Sequence, residues 1–157
     1  MVKIERTKSY SLILVFVIYI IALLAGWYIL LLIPNGVHPL VKIASADIVA
    51  TVLVFLGSMF YNNSSVYDPY WSVVPFFIAL YYISIYSPAL HNLRTIIVLL
   101  LVLVWGVRLT RNWIRGWQGM HQEDWRYVNF RESTGKFYWL VSFLGIHLFP
   151  TIMVYMG

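Results

Sequence analysis

Tyr67, Asp68 and Tyr70 place two phenols and a carboxylate within four positions, in the stretch NNSSVYDPYWSVVP that runs from Asn62 to Pro75 between two long apolar runs. Asp68 is the only acidic residue between Asp47 and Glu123. A phenol beside a carboxylate can polarise a carbonyl or relay a proton. The same residues also suit a tight turn, because Asp-Pro favours turn initiation and Pro69 pre-sets the start of a helix.

Upstream, Asp47, Thr51, Ser58 and Asn62 are spaced i, i+4, i+11 and i+15. At about 100° per residue they fall within a wedge of about 60° on one helix. A polar stripe in an apolar helix faces a bundle interior or a water-filled cavity, since a charge at mid-bilayer costs at least about 2.5 kcal/mol. The stripe leads into Asn63 and Ser65, which makes Asp47, Thr51 and Asn63 candidate cavity lining. The alternative is an interfacial cap at Asp47, with Thr51 and Ser58 hydrogen-bonding across helices.

The segment Arg108–Ser133 is the most charged part of the chain. Arg108, Arg111 and Arg115 share a helix face at i, i+3 and i+7, and Trp113 and Trp117 form an i, i+4 pair. Such a face either holds anionic lipid headgroups or clamps a phosphate, guanidiniums binding it bidentately. Asn112, Glu123, Asp124, Arg126 and Tyr127 would then supply specific contacts or internal ion pairs. His38, His91, His121 and His147 lack metal-ligand spacing, so no metal site is expected, and His147 in the last span is expected to hydrogen-bond a neighbouring helix. There is no glycine-rich phosphate loop, so a nucleotide would have to be held by bundle side chains.

These residues sit in a chain that is 61% hydrophobic and 11% charged, against roughly a quarter charged in globular domains. That composition gives an all-α integral membrane protein, a single transmembrane domain over residues 1–157. Spans are expected at about 10–33, 43–60, 70–86, 90–109 and 137–156, a bundle of about five helices, with the segment 110–136 on the cytoplasmic side. The absence of cysteine excludes disulfides and thiolate chemistry. The net charge of +5 follows the membrane rather than a nucleic acid, and none is expected as a partner. With the N-terminus cytoplasmic, Lys3, Arg6, Lys8, Arg108, Arg111, Arg115, Arg126, Arg131 and Lys136 lie inside, and Lys42 and Arg94 outside, which is the positive-inside arrangement.

ADIVATVLVF, NNSSVYDPYWSVVP, WGVRLTRNW, EDWRY and SFLGIHLFPT, in that order, resemble the N-terminal half of the bacterial steroid 5-alpha-reductase-like membrane proteins. The resemblance implies a multi-span oxidoreductase that uses NADPH to reduce the carbon–carbon double bond of a lipid-like enone. It implies Asp47, Asn63, Tyr67, Asp68 and Tyr70 as lining near the reacting centre, with Tyr70 or Tyr67 as proton donor and Asp68 orienting it. It implies Arg108, Asn112, Glu123, Asp124, Arg126 and Tyr127 as cofactor-side contacts. Family members continue through further spans and an R-H-P-N-Y-type segment, so this chain is expected to lack a complete NADPH site and to need a C-terminal half or partner chain. Membrane lipid and a hydrophobic substrate are the other expected partners. Two alternatives stand beside this reading: an S-adenosylmethionine-dependent methyltransferase of similar architecture, and a non-enzymatic assembly or transport subunit.

Overall fold

The computed structural model describes residues 7–85 and 92–157; Lys3, Arg6, His91 and the expected span ends at Tyr86 and Leu90 lie outside the described residues. Among the described residues the structure is helical, without strands. Helix α1 is Lys8–Leu32, α2 Pro39–Tyr61, α3 Tyr70–Ile85, α4 Leu93–Gly116 and α5 Trp125–Thr134. A final helix is built from α6, Tyr138–Val141, a π-helical stretch Ser142–Leu148, and α7, Phe149–Met156.

Local chemistry sets these boundaries. The side chains of Thr7, His38, Asn92 and Asp124 accept from the first free amides of α1, α2, α4 and α5. Asn62, in the left-handed conformation at φ 53°, ends α2, and Gly135 at φ 52° ends α5. Pro150 cannot donate to the carbonyl one turn back, and the helix widens just upstream of it, where the His147 ring meets the Ser142 carbonyl at 3.0 Å.

Four helical runs are long and apolar enough to cross a membrane: Lys8–Leu32, Pro39–Tyr61, Leu93–Gly116 and Trp125–Met156. Their outward faces carry Phe16, Leu24, Leu31, Leu101 and Val104, all more than half exposed, as lipid-facing helices require. Helix α4 continues through Arg111 and Arg115 to Gly116, so those arginines ride on the end of a span rather than in a separate loop. Gly106, its one buried residue, lies so close to the Ser72 carbonyl that a Cβ would overlap it, and Ser72 Oγ meets Thr110 Oγ1 at 3.0 Å across the same contact.

Helix α3 begins at Tyr70, inside the bundle rather than at the level where α2 ends. The segment before it accounts for this. Asn63 stays at the end of α2, with its amide to Ser58 O, yet the Tyr70 hydroxyl reaches Asp47. Asp47 lies about 21 Å back along α2 from Tyr61, at ~1.5 Å per residue. Residues 62–69 therefore turn back into the bundle, and α3 starts part-way along it. Val66, Tyr67 and Tyr70 are buried there against Tyr19, Ala22, Val54 and Val74.

Candidate functional site

Helix α2 presents Asp47 and the first residue of α3 presents Tyr70. The Tyr70 phenol donates to Asp47 Oδ1 at 2.9 Å, while Asp47 Oδ2 is buried with no hydrogen-bond partner. Both residues border a cleft of about 620 Å³ between α1, α2 and α3, whose other walls include Trp27, Ile43, Val74 and Phe77. A lone carboxyl oxygen beside an apolar cavity is an energetic liability unless something polar meets it. The aromatic packing fixes the phenol: the Tyr19 ring stands edge-on to Tyr70 at 5.7 Å, and the Tyr19 hydroxyl donates to Val66 O at 2.7 Å.

The neighbouring candidates diverge. Tyr67 packs its ring 5.4 Å from Tyr70 but sends its hydroxyl into the bundle, 2.7 Å from Thr151 Oγ1, which in turn meets Thr51 Oγ1 at 2.9 Å. Thr51 is thus a buried cross-helix tie and does not border the cleft. Asp68 turns the other way and accepts from the Tyr127 hydroxyl at 2.5 Å, so the carboxylate that holds Tyr70 is Asp47 and not Asp68. Burial pushes the Asp68 carboxyl up to about 7, against the lowering effect of the Tyr127 hydrogen bond.

Asn63, Ser64 and Ser65 clasp the loop that follows α4. The Asn63 amide donates to Met120 O at 3.1 Å and Gln122 O at 2.8 Å, so it holds a loop and does not border the cleft. Ser64 N donates to Glu123 Oε1 at 2.7 Å, and Asp124 N donates to Ser65 Oγ at 2.8 Å. Glu123 also takes Arg131 in a two-pronged ion pair and the Tyr138 hydroxyl at 3.1 Å. From there a buried hydroxyl cluster runs inward, Tyr138 and Ser142 both meeting Ser64 Oγ. His147 reaches Ser58 Oγ at 3.0 Å from its other nitrogen, the neighbouring-helix bond expected of it.

The residues proposed to hold a nucleotide fall into two groups. Arg126 is engaged by Asp124 through Nε at 2.8 Å and Nη2 at 2.9 Å, and this pairing holds the Asp124 carboxyl below its usual range. Glu123 is spent on Ser64 and Arg131, and Tyr127 on Asp68. Arg108 and Asn112 are exposed on α4 with Arg111 and Arg115 and border a different groove. Of these arginines none borders the Asp47 cleft, and those nearest the loop are already neutralised. The described residues therefore do not fit a pyrophosphate cradle at that cleft.

Sequence reasoning passed over Tyr19, Ser64, Tyr138 and Thr151. Tyr19, Tyr138 and Thr151 are single polar groups in apolar helices, Ser64 is one of a run of four polar residues, and the partner of each lies 47 to 84 residues away. The signal available was that a polar group buried in a membrane bundle must find a partner there.

Residues 54–156 match the model of one protein family, described as a protein of unknown function, DUF1295. No curated protein and no solved structure matches the chain. The matched stretch takes in the end of α2, the returning segment with Tyr67, Asp68 and Tyr70, the loop it clasps, and the whole of the last helix. On this match the chain belongs to the DUF1295 family.

Proposed function

We propose that this chain is the substrate-binding part of a membrane-embedded reductase of the steroid 5-alpha-reductase type, acting on a lipid-like enone. The observation that carries the reading is the Asp47–Tyr70 pair beside an otherwise apolar cleft set among lipid-facing helices. An enone with a hydrocarbon body has apolar surface for such walls and one carbonyl oxygen for the polar end. Reduction of its conjugated double bond builds negative charge on that oxygen, and a phenol or a protonated carboxyl placed there stabilises the charge or supplies the proton. Tyr70 is held by Asp47 in front and by the Tyr19 and Tyr67 rings at its sides, so its hydroxyl is pre-positioned, and it donates to the carbonyl when a protonated Asp47 donates to the phenol oxygen in turn.

NADPH is the reductant this reading implies. Because Arg126 and Arg131 are paired, and Arg108, Arg111 and Arg115 border another groove, the part played by the described residues is the substrate side: binding, orientation and proton supply.

The test is equilibrium binding in detergent of a steroid enone, compared with the same ring system lacking the carbonyl. Saturable binding with roughly tenfold or greater preference for the carbonyl compound is expected, since a site built to hydrogen-bond rejects an analogue without the group. The preference should vanish in Tyr70→Phe. Equal affinity for the two compounds, or no binding of either, overturns the reading.

A further inference from the structure

Helix α4 carries a second site that the enone cleft does not use. Arg108, Arg111 and Arg115 project from one exposed face at its end, within a wedge of about 60° at 100° per residue. Among the described residues their guanidiniums form no ion pair: the ion pairs found are Arg126 with Asp124 and Arg131 with Glu123, while Asp68 is taken by Tyr127 and Asp47 lies in the other cleft. Lys8 adds a fourth cation at this end, its Nζ 3.3 Å from the Arg115 carbonyl.

Two depressions flank these arginines along α4. One, of about 330 Å³, lies between α3 and α4 and is walled by Val73, Phe76, Phe77 and Val102. The other, of about 540 Å³, lies on the outer side of α4 alone, where Leu103, Val104 and Val107 lead up to Arg108, Arg111, Asn112 and Arg115. Both share Leu103, Val107 and Arg111, so the ridge Leu103–Val107 divides two channels that meet beneath one guanidinium. From Leu103 to Arg111 the helix rises about 12 Å at ~1.5 Å per residue, enough to align the upper part of an acyl chain.

We propose that this face binds one anionic diacyl phospholipid, its phosphate held by Arg108, Arg111 and Arg115 and its two chains laid in the two grooves astride Leu103 and Val107. Charge complementarity selects the occupant, because clustered cations at a membrane boundary with no acidic partner among the described residues favour an anionic headgroup. The paired grooves select a lipid with two chains over a soluble phosphate. The site accounts for the placement of Arg108 and Asn112 away from the cleft, and it is independent of what the Asp47 cleft binds.

Native mass spectrometry of the full chain, released from detergent with graded amounts of dioleoyl phosphatidylglycerol or dioleoyl phosphatidylcholine, reads it directly. The expected result is retention of about one phosphatidylglycerol with roughly tenfold preference over phosphatidylcholine, given the attraction each arginine exerts on anionic lipid. The preference is lost in R108Q/R111Q/R115Q, whose changes lie on an exposed face. Val107→Trp, which fills the ridge between the grooves, lowers retention of both lipids and leaves the headgroup preference. Equal retention of the two lipids by the wild-type chain overturns the proposal without recourse to any variant. So does displacement of the lipid by inorganic pyrophosphate at equimolar concentration, which would make the face a site for a soluble phosphate.

Discussion

Tyr70 donates its phenol to Asp47 Oδ1 at 2.9 Å, and this one bond ties the first residue of α3 to the interior of α2. It is also the only side-chain hydrogen bond found for the Asp47 carboxylate among the described residues, since Oδ2 has none. Tyr70→Phe therefore strands a buried carboxyl, at a cost of about 1–3 kcal/mol. Tyr67→Phe removes a hydroxyl of the same kind, but Thr151 keeps its 2.9 Å bond to Thr51, so the loss is nearer about 1 kcal/mol. Thermal unfolding in detergent should rank Tyr70→Phe below Tyr67→Phe; equal shifts would mean that Asp47 does not depend on Tyr70.

Asp68 gives the fold a dependence on pH. Its carboxyl is pushed up to about 7 in the folded chain by burial, from an ordinary value near 3.8, with Tyr127, Asp124, Arg126 and Glu123 around it. A raised folded value means that the folded state favours the protonated form, so the stability it contributes is present in acid and is lost as pH rises from about 4 through about 7. Asp124 moves oppositely, and its contribution is lost only in stronger acid. Asp68→Asn should unfold closest to the wild type at about pH 4 and below, and above it in temperature by a gap that widens up to about pH 8. A constant offset between the two curves across that range would show that Asp68 does not titrate there.

The halves of the Asp47–Tyr70 pair were legible separately. The 3.6-residue period put Asp47, Thr51 and Ser58 on one face, and all three are buried. The density of phenols around Asp68 marked the segment that holds Tyr70. Their meeting was not legible, because Asp68-Pro69 reads locally as a turn at a membrane surface, and nothing local distinguishes that from a segment turned back into a bundle. Proximity in sequence also misled: Tyr67, Asp68 and Tyr70 are neighbours in the chain but bond Thr151, Tyr127 and Asp47 respectively. Arg126 shows the converse case, since its partner is the near neighbour Asp124 rather than a distant ligand. Helix α4 runs on past the expected span end at 109 to Gly116, in keeping with the shared helix face read for Arg108, Arg111 and Arg115.

Glu123 joins the returning segment to the last helix, accepting from Ser64 N, Arg131 and the Tyr138 hydroxyl. The Arg131 guanidinium also lies 3.8 Å from the centre of the Tyr138 ring. Glu123→Gln keeps an acceptor for Ser64 but loses the charge that holds Arg131, a partly exposed pair, and should cost about 1 kcal/mol. Glu123→Ala also leaves the buried Ser64 amide unpaired and should cost about 2–3 kcal/mol. Limited proteolysis between Trp117 and Glu123 should accelerate in the same order, wild type, Gln, Ala. Slower cleavage in the Ala variant than in the Gln variant would place the restraint on that loop elsewhere.

Gly106 is where α4 and α3 touch backbone to backbone. A Cβ there would overlap the Ser72 carbonyl oxygen, and a carbonyl within a helix cannot swing aside as a side chain does, so Gly106→Ala must push the two helices apart. The displacement also breaks the 3.0 Å contact between Ser72 and Thr110. The expected cost is about 1–3 kcal/mol, the range for overpacking a close contact. Gly116, at the end of the same helix, has nothing within 4 Å of an added Cβ, so Gly116→Ala should be neutral or stabilise by up to about 1 kcal/mol through helix propensity. Thermal unfolding of the two variants side by side separates a packing effect from a propensity effect. If both moved the midpoint in the same direction and by the same amount, the α3–α4 approach at Gly106 would not be what constrains that residue.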